Sequence, residues 1–167
     1  MRYVVIAVTA TLLSAPGLRA QDWSRYRPGT LQEVIDQHDA SVHASGGGGI
    51  ENWVISSKDF ARRAHLTYLG EHRPMSPERV ELLRRWVRVL GVNPAVLNQF
   101  ANEYLFREGE REHWLAVQKV LEGPLDQEVL PGQPVDLYVV FIGGYYAGGP
   151  VTWLFLVNEF RTQGSGR

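Results

Sequence analysis

Four glutamates and a histidine crowd one short part of the chain: Glu103, Glu108, Glu110, Glu112 and His113, most of them inside "FREGEREHW" at 106–114. Paired carboxylates can serve as general acid and general base when their surroundings push their pKa values apart. Glu103 or Glu108 working beside His113 would make a small hydrolase of envelope polymers. The same residues also read as a charged turn between two elements, where carboxylates stay solvated and ordinary. His113 adjoins Trp114 and can equally pack on a sheet. The sequence therefore assigns no residue a catalytic role.

Other chemistry is thinner. No serine stands in a Gly-x-Ser-x-Gly setting, and with no cysteine there is neither a thiol nucleophile nor a disulfide. His38 and His43 lie five apart, whereas side chains sharing a helix face are spaced by three or four, so His38, Asp39 and His43 read as a solvated helix end and no metal is expected. Gly46 to Gly49 lack the preceding strand and the following Lys-Ser/Thr of a phosphate loop. No cofactor is expected.

Two groups remain as a ligand- or partner-binding surface. Arg84, Arg85 and Arg88 have the side chain suited to carboxylate or phosphate, although such a run is also what a solvated helix face with Glu78 and Glu81 looks like. Tyr145 and Tyr146 sit between Gly143-Gly144 and Gly148-Gly149, and an exposed tyrosine offers stacking area with a hydroxyl. They form the tip of a hairpin if the chain turns there. If it turns at Gly148-Gly149, both belong to strands and one packs inward.

That hairpin has to be established first, because 137–157 carries no charged side chain. A membrane helix there would hold four glycines and Pro150, at about 1 kcal/mol for each Gly and 3 for Pro. The flanking Val, Tyr, Phe, Trp and Thr favour strands, and two strands buried on both faces need no charge. Two β-strands are the expectation.

Upstream, Thr30-Leu31-Gln32-Glu33 has the spacing of a capping box, with Leu31, Val34, Ile35 and His38 on one helical face. Trp53–Ile55 and Ala64–Leu69 look extended. Ser76-Pro77 opens a helix whose Val80, Leu83, Val87 and Leu90 form an apolar stripe beside Trp86, with Arg79, Arg84, Arg85 and Arg88 largely opposite. Asn93-Pro94 repeats the start signal, and Val96, Leu97, Phe100, Ala101 and Tyr104 predict a second helix to about Phe106. Strands follow at Trp114–Val120, Val135–Ile142 and Val151–Phe160, with a turn at "LPGQP". The fold class is α+β: a small curved antiparallel sheet or partly open barrel, OB-like or SH3-like by analogy, with an inserted helical pair.

The N-terminus reads as a secretory signal over 1–20: Arg2, an apolar core at Val4–Leu13, and a cut after Ala20. Residues 21–49 supply the short helix and the glycine linker, 50–163 the domain, and 164–167 a frayed tail. Cleavage removes Arg2 and Arg19 and no acid, so the mature chain is more acidic than the precursor and unsuited to nucleic acid. Its roughly 147 residues suffice for one domain burying about 68–70% of its unfolded surface. The expectation is an exported bacterial protein, periplasmic or secreted, with no integral span in the mature chain. Its partner is an envelope protein or a small ligand, and binding is favoured over catalysis.

Overall fold

A computed structural model describes residues 23–44, 52–57 and 60–162. The signal segment expected over 1–20, Gly46 to Gly49 and the C-terminal tail lie outside the described residues.

The capping box forms as its spacing requires. Thr30 Oγ1 accepts from the Glu33 N–H at 3.0 Å, and the Glu33 carboxylate accepts from the Thr30 N–H at 3.2 Å. It opens α1, Leu31–Ala44. Helix α2, Pro77–Leu90, starts at Ser76, whose hydroxyl accepts from the Arg79 N–H. It stops at Gly91, whose φ of 63° lets its N–H turn back to the Val87 carbonyl.

The second expected helix is not there. Pro94–Gln99 makes a 3-10 segment, and the chain then extends as β4, Phe100–Glu108. Phe100, Ala101 and Tyr104 do fall at helical spacing. However, Glu103 through Phe106 are all buried, and a strand covered on both faces carries a continuous run that helical periodicity cannot tell apart. The helical pair is thus one helix and a 3-10 segment packed on it.

The other strands are β1 (Arg27–Pro28), β2 (Asn52–Ile55), β3 (Ala61–Pro74), β5 (Arg111–Gln118), β6 (Pro134–Tyr146) and β7 (Thr152–Thr162). A third helix, α3, spans Lys119–Glu128. Strands pair in the order β3–β4–β5–β7–β6, and β6 pairs again with β3, so five of them form a closed ring. All ring neighbours are antiparallel except β5 and β7. Outside the ring, β2 adds to β6 and β1 to β3.

The apolar residues divide by face. Tyr104, Phe106, Leu115, Leu137, Phe141, Phe155 and Val157 gather in one buried cluster with Leu31, Val34 and Ile35 of α1 and Leu125 and Val129 beside or in α3. The two helices enter that cluster from opposite ends of β4: Glu108, at its end, accepts from α1, and Asn102, near its start, donates to Glu122 of α3. A second cluster joins Leu82, Leu83, Trp86 and Val87 of α2 to Ala116, Ile142, Leu154 and Leu156. The sheet is thereby buried on both faces.

This accounts for the uncharged stretch at 137–157: β6 and β7 run antiparallel through it. No helix among the described residues is long and apolar enough to cross a membrane. The two glycine pairs have different work. Gly148-Gly149 lies in the connection. Gly143-Gly144 lies within β6, where the register shifts. Gly143 has a φ of 153°, and a Cβ on it would strike the Val54 carbonyl oxygen.

Candidate functional site

The acidic group disperses. Glu103 is fully buried and belongs to the sheet, not to a solvated turn. Arg73 Nε donates to its Oε1 at 2.6 Å, and Arg79 Nη1 lies 3.2 Å from its Oε2. That second oxygen has ion-pair proximity but no directed hydrogen bond. Arg79 also donates from Nε to the Trp153 carbonyl, and Arg73 lies over the Trp114 ring at 3.8 Å. Burial pushes the Arg79 pKa down, and the Glu103 carboxylate opposes that shift.

Arg79 does not lie on the polar face of α2, where sequence reasoning placed it. Its side chain is only 14% exposed. The signal was present: 79, 82, 83 and 86 follow helical spacing, so Arg79 shares a face with Leu82, Leu83 and Trp86.

Glu108 is engaged elsewhere. Its two carboxylate oxygens accept from the Leu31 and Gln32 N–H groups at 3.0 and 3.1 Å, which satisfies the first turn of α1 from a distant strand and places negative charge at the helix N-terminus. Glu110 is exposed beside Gly109 in the tight β4–β5 turn. Of Glu103, Glu108 and His113, only His113 lines the concave site described next.

Between β5 and β7 the ring opens into a cleft of about 150 Å³, lined by Arg79, Glu112, His113, Trp114, Leu115, Val151, Trp153 and Phe155. The Nε2 atom of His113 is buried and has no hydrogen-bond partner. Burial lowers the His113 pKa, with Glu108 pulling the other way and Arg111 adding to the shift. The unfolded chain therefore binds a proton near pH 6.5 that the folded chain refuses. Stability from this group is full above about pH 6.5 and declines as pH falls toward the folded value. Urea midpoints taken from pH 7.5 down to 5 should fall more steeply for the native chain than for His113→Phe; equal slopes would clear the imidazole of any part.

Tyr145 and Tyr146 are not a hairpin tip. Both end β6, with Tyr145 paired to Thr152, and the chain turns over Ala147–Pro150. Both are half-buried. Tyr145 stacks on Trp53 at a centroid distance of 4.0 Å, and Arg85 of α2 covers the same indole at 4.4 Å. Two separate sequence candidates thus meet through Trp53, a residue that sequence reasoning recognised only as part of a strand. Arg85 Nε also donates to Glu81 at 3.0 Å, Arg84 lies 3.8 Å from Glu81, and Arg88 is exposed. Tyr146 meets His43 edge-on at 4.8 Å.

His38 and His43 go separate ways. His38 packs between Phe60 and Phe141 with Nδ1 2.7 Å from the Val34 carbonyl, while His43 lies 3.5 Å from Asp39. Among the described residues no group of three metal-ligating side chains comes together.

No family model matches this chain, and neither a curated protein nor a solved structure is significantly similar to it.

Proposed function

We propose that this is an exported, non-catalytic binding module with an OB-like ring, and that it docks an envelope protein through the Arg85–Trp53–Tyr145 ladder. The strand order supports OB-like over SH3-like: taking β3, β4, β5, β6 and β7 as first to fifth, the third pairs with the fifth in parallel and α3 joins the third to the fourth. OB folds bind across the face of the second and third strands and along the loops joining first to second and fourth to fifth. Here α2 occupies the first of those loops, and Tyr145 borders the second.

The ladder is the observation that carries the reading. It joins those two segments in a stacked guanidinium, indole and phenol, and Trp, Tyr and Arg are the residue types enriched at interface hot spots. The alternative, a hydrolase using Glu103 or Glu108, is less supported, because one is enclosed by two arginines and the other holds α1.

Affinity capture of the chain from its native envelope, followed by mass spectrometry, identifies the partner. Arg85→Ala and Tyr145→Ser should each weaken capture by about tenfold or more, the loss of 1.4 kcal/mol or more typical of a hot spot. Melting temperatures should stay within a few degrees of native. Two variants that melt normally and still capture the partner in full would sink the proposal.

A further inference from the structure

The outward face of α2 carries more positive charge than it has partners for. Positions 81, 84, 85 and 88 are spaced by three and four, so Glu81, Arg84, Arg85 and Arg88 share that face. Arg84 and Arg85 both turn to the one Glu81 carboxylate, at 3.8 and 3.0 Å. Arg88 is exposed and has no ion pair among the described residues. Such a face stands out on a chain whose formal net charge is −1. We propose that it docks an acidic segment of the partner protein, one that presents two carboxylates about one helical turn apart to Arg85 and Arg88. The inference rests on the ladder reading and adds the chemistry of the partner's surface.

The ladder fixes how Arg85 is used. Its guanidinium lies over the Trp53 indole, 4.4 Å from the ring centroid, and its Nε donates to Glu81. Among the described residues its Nη N–H groups bond nothing, and the side chain is 41% exposed. Stacking occupies the face of the guanidinium and leaves its edge for bidentate bonding to a carboxylate. A fork already held in place loses less entropy on binding than a free one. Arg88 follows three residues later, where neighbouring Cβ atoms are about 5–6 Å apart, so a second carboxylate one turn from the first reaches it. Val89 is 65% exposed and lies four residues from Arg85, an apolar contact beside the charged pair. An anionic membrane fits this face less well. A helix that lies on lipid needs its apolar side free to enter it, and Leu82, Leu83, Trp86 and Val87 are buried against the sheet. The net negative chain as a whole is also repelled by an anionic bilayer.

Fluorescence anisotropy with labelled, alanine-based helical peptides tests this. One peptide carries glutamates one turn apart with a leucine beside them, and a second carries glutamine in their place. Phosphatidylglycerol vesicles form a third arm. The glutamate peptide should bind saturably and lose affinity as salt is raised, while the glutamine peptide and the vesicles should not bind. Arg88→Glu should weaken both peptide binding and capture of the envelope partner by about tenfold or more, the low end for close charge pairs across an interface. Arg85→Lys keeps the charge but loses the fork, and should weaken the peptide several-fold. Both variants should melt as the native chain does, since neither side chain is in the core. The proposal is overturned if the glutamate peptide does not saturate, if the glutamine peptide binds equally, if the vesicles bind in its place, or if Arg88→Glu behaves as native. Capture lost in Tyr145→Ser but kept in Arg88→Glu would overturn the acidic partner and leave the ladder standing. Capture kept in both would end both readings.

Discussion

Replacing Glu103 with alanine should cost about 3–5 kcal/mol, the range for breaking a buried ion pair from one side. The carboxylate is fully buried between Arg73 and Arg79. Its removal leaves the Arg79 guanidinium enclosed with no counter-charge. Against a typical total stability of roughly 5–15 kcal/mol, that is a large fraction of the whole. Most of that loss is the stranded charge and not the net worth of the pair. Glu103→Leu combined with Arg79→Met should therefore recover much of it, because apolar groups of similar volume often replace buried ions at little cost. Denaturant titration of the single and double variants measures both statements. A single variant within about 1 kcal/mol of native, or a double variant worse than the single, would contradict this account of the cluster.

Phe155→Ala should be comparably severe, at roughly 3–5 kcal/mol. The ring of Phe155 is 2% exposed and lies 5.1 Å from that of Phe141, centroid to centroid, inside the ring of strands. Truncation removes apolar burial and leaves a void that the surrounding closed strands can fill only in part. Trp86→Ala, in the separate cluster under α2, should fall in the same range. Because the two side chains sit in different clusters, their effects should add in the double variant. Denaturation midpoints at unchanged m-values are the expected record, and a loss below about 1 kcal/mol for either would place that side chain outside the core.

Elements announced by local chemistry were legible in the sequence. The Thr30–Glu33 box, the Ser76-Pro77 start and the Gly91 stop are each made by residues that are neighbours in the chain, so no tertiary knowledge was needed. The same holds for the two strands at 137–157, whose glycines and proline exclude a helix on propensity alone. What failed was decided by distant partners. Phe100–Phe106 has an ambiguous period, and only its pairing with β3 and β5 makes it a strand. Helix α3 was invisible because Gly123 and Pro124 interrupt it. It is held by Leu125 in the core and by Asp126, which accepts from the Tyr68 and Tyr104 hydroxyls; burial first, and then the Asp126 carboxylate, raises both phenol pKa values.

The candidate sites follow the same rule. That Arg84, Arg85, Tyr145 and Tyr146 are surface-capable could be read from residue type. That Arg85 and Tyr145 share Trp53 could not, because three separate elements bring them together. Glu103 is the sharpest case: five positions from Glu108 in sequence, it has entirely different company, set by Arg73 on β3 and Arg79 on α2.

The pairing of β3 with β6 closes the ring, and it has a kinetic consequence. Ala61 meets Val140 and Thr67 meets Pro134, so this seam cannot form until most of the chain exists and its ends have found one another. The entropy of closing a long loop is lost before any of these contacts repays it, and folds dominated by distant pairings take milliseconds to seconds. Until then the Ala61–Thr67 half of β3 keeps one edge unpaired, open to the wrong partner. In an exported chain, as proposed above, so late a closure would leave the polypeptide threadable for longer after synthesis, and the ring would complete on the far side of the membrane.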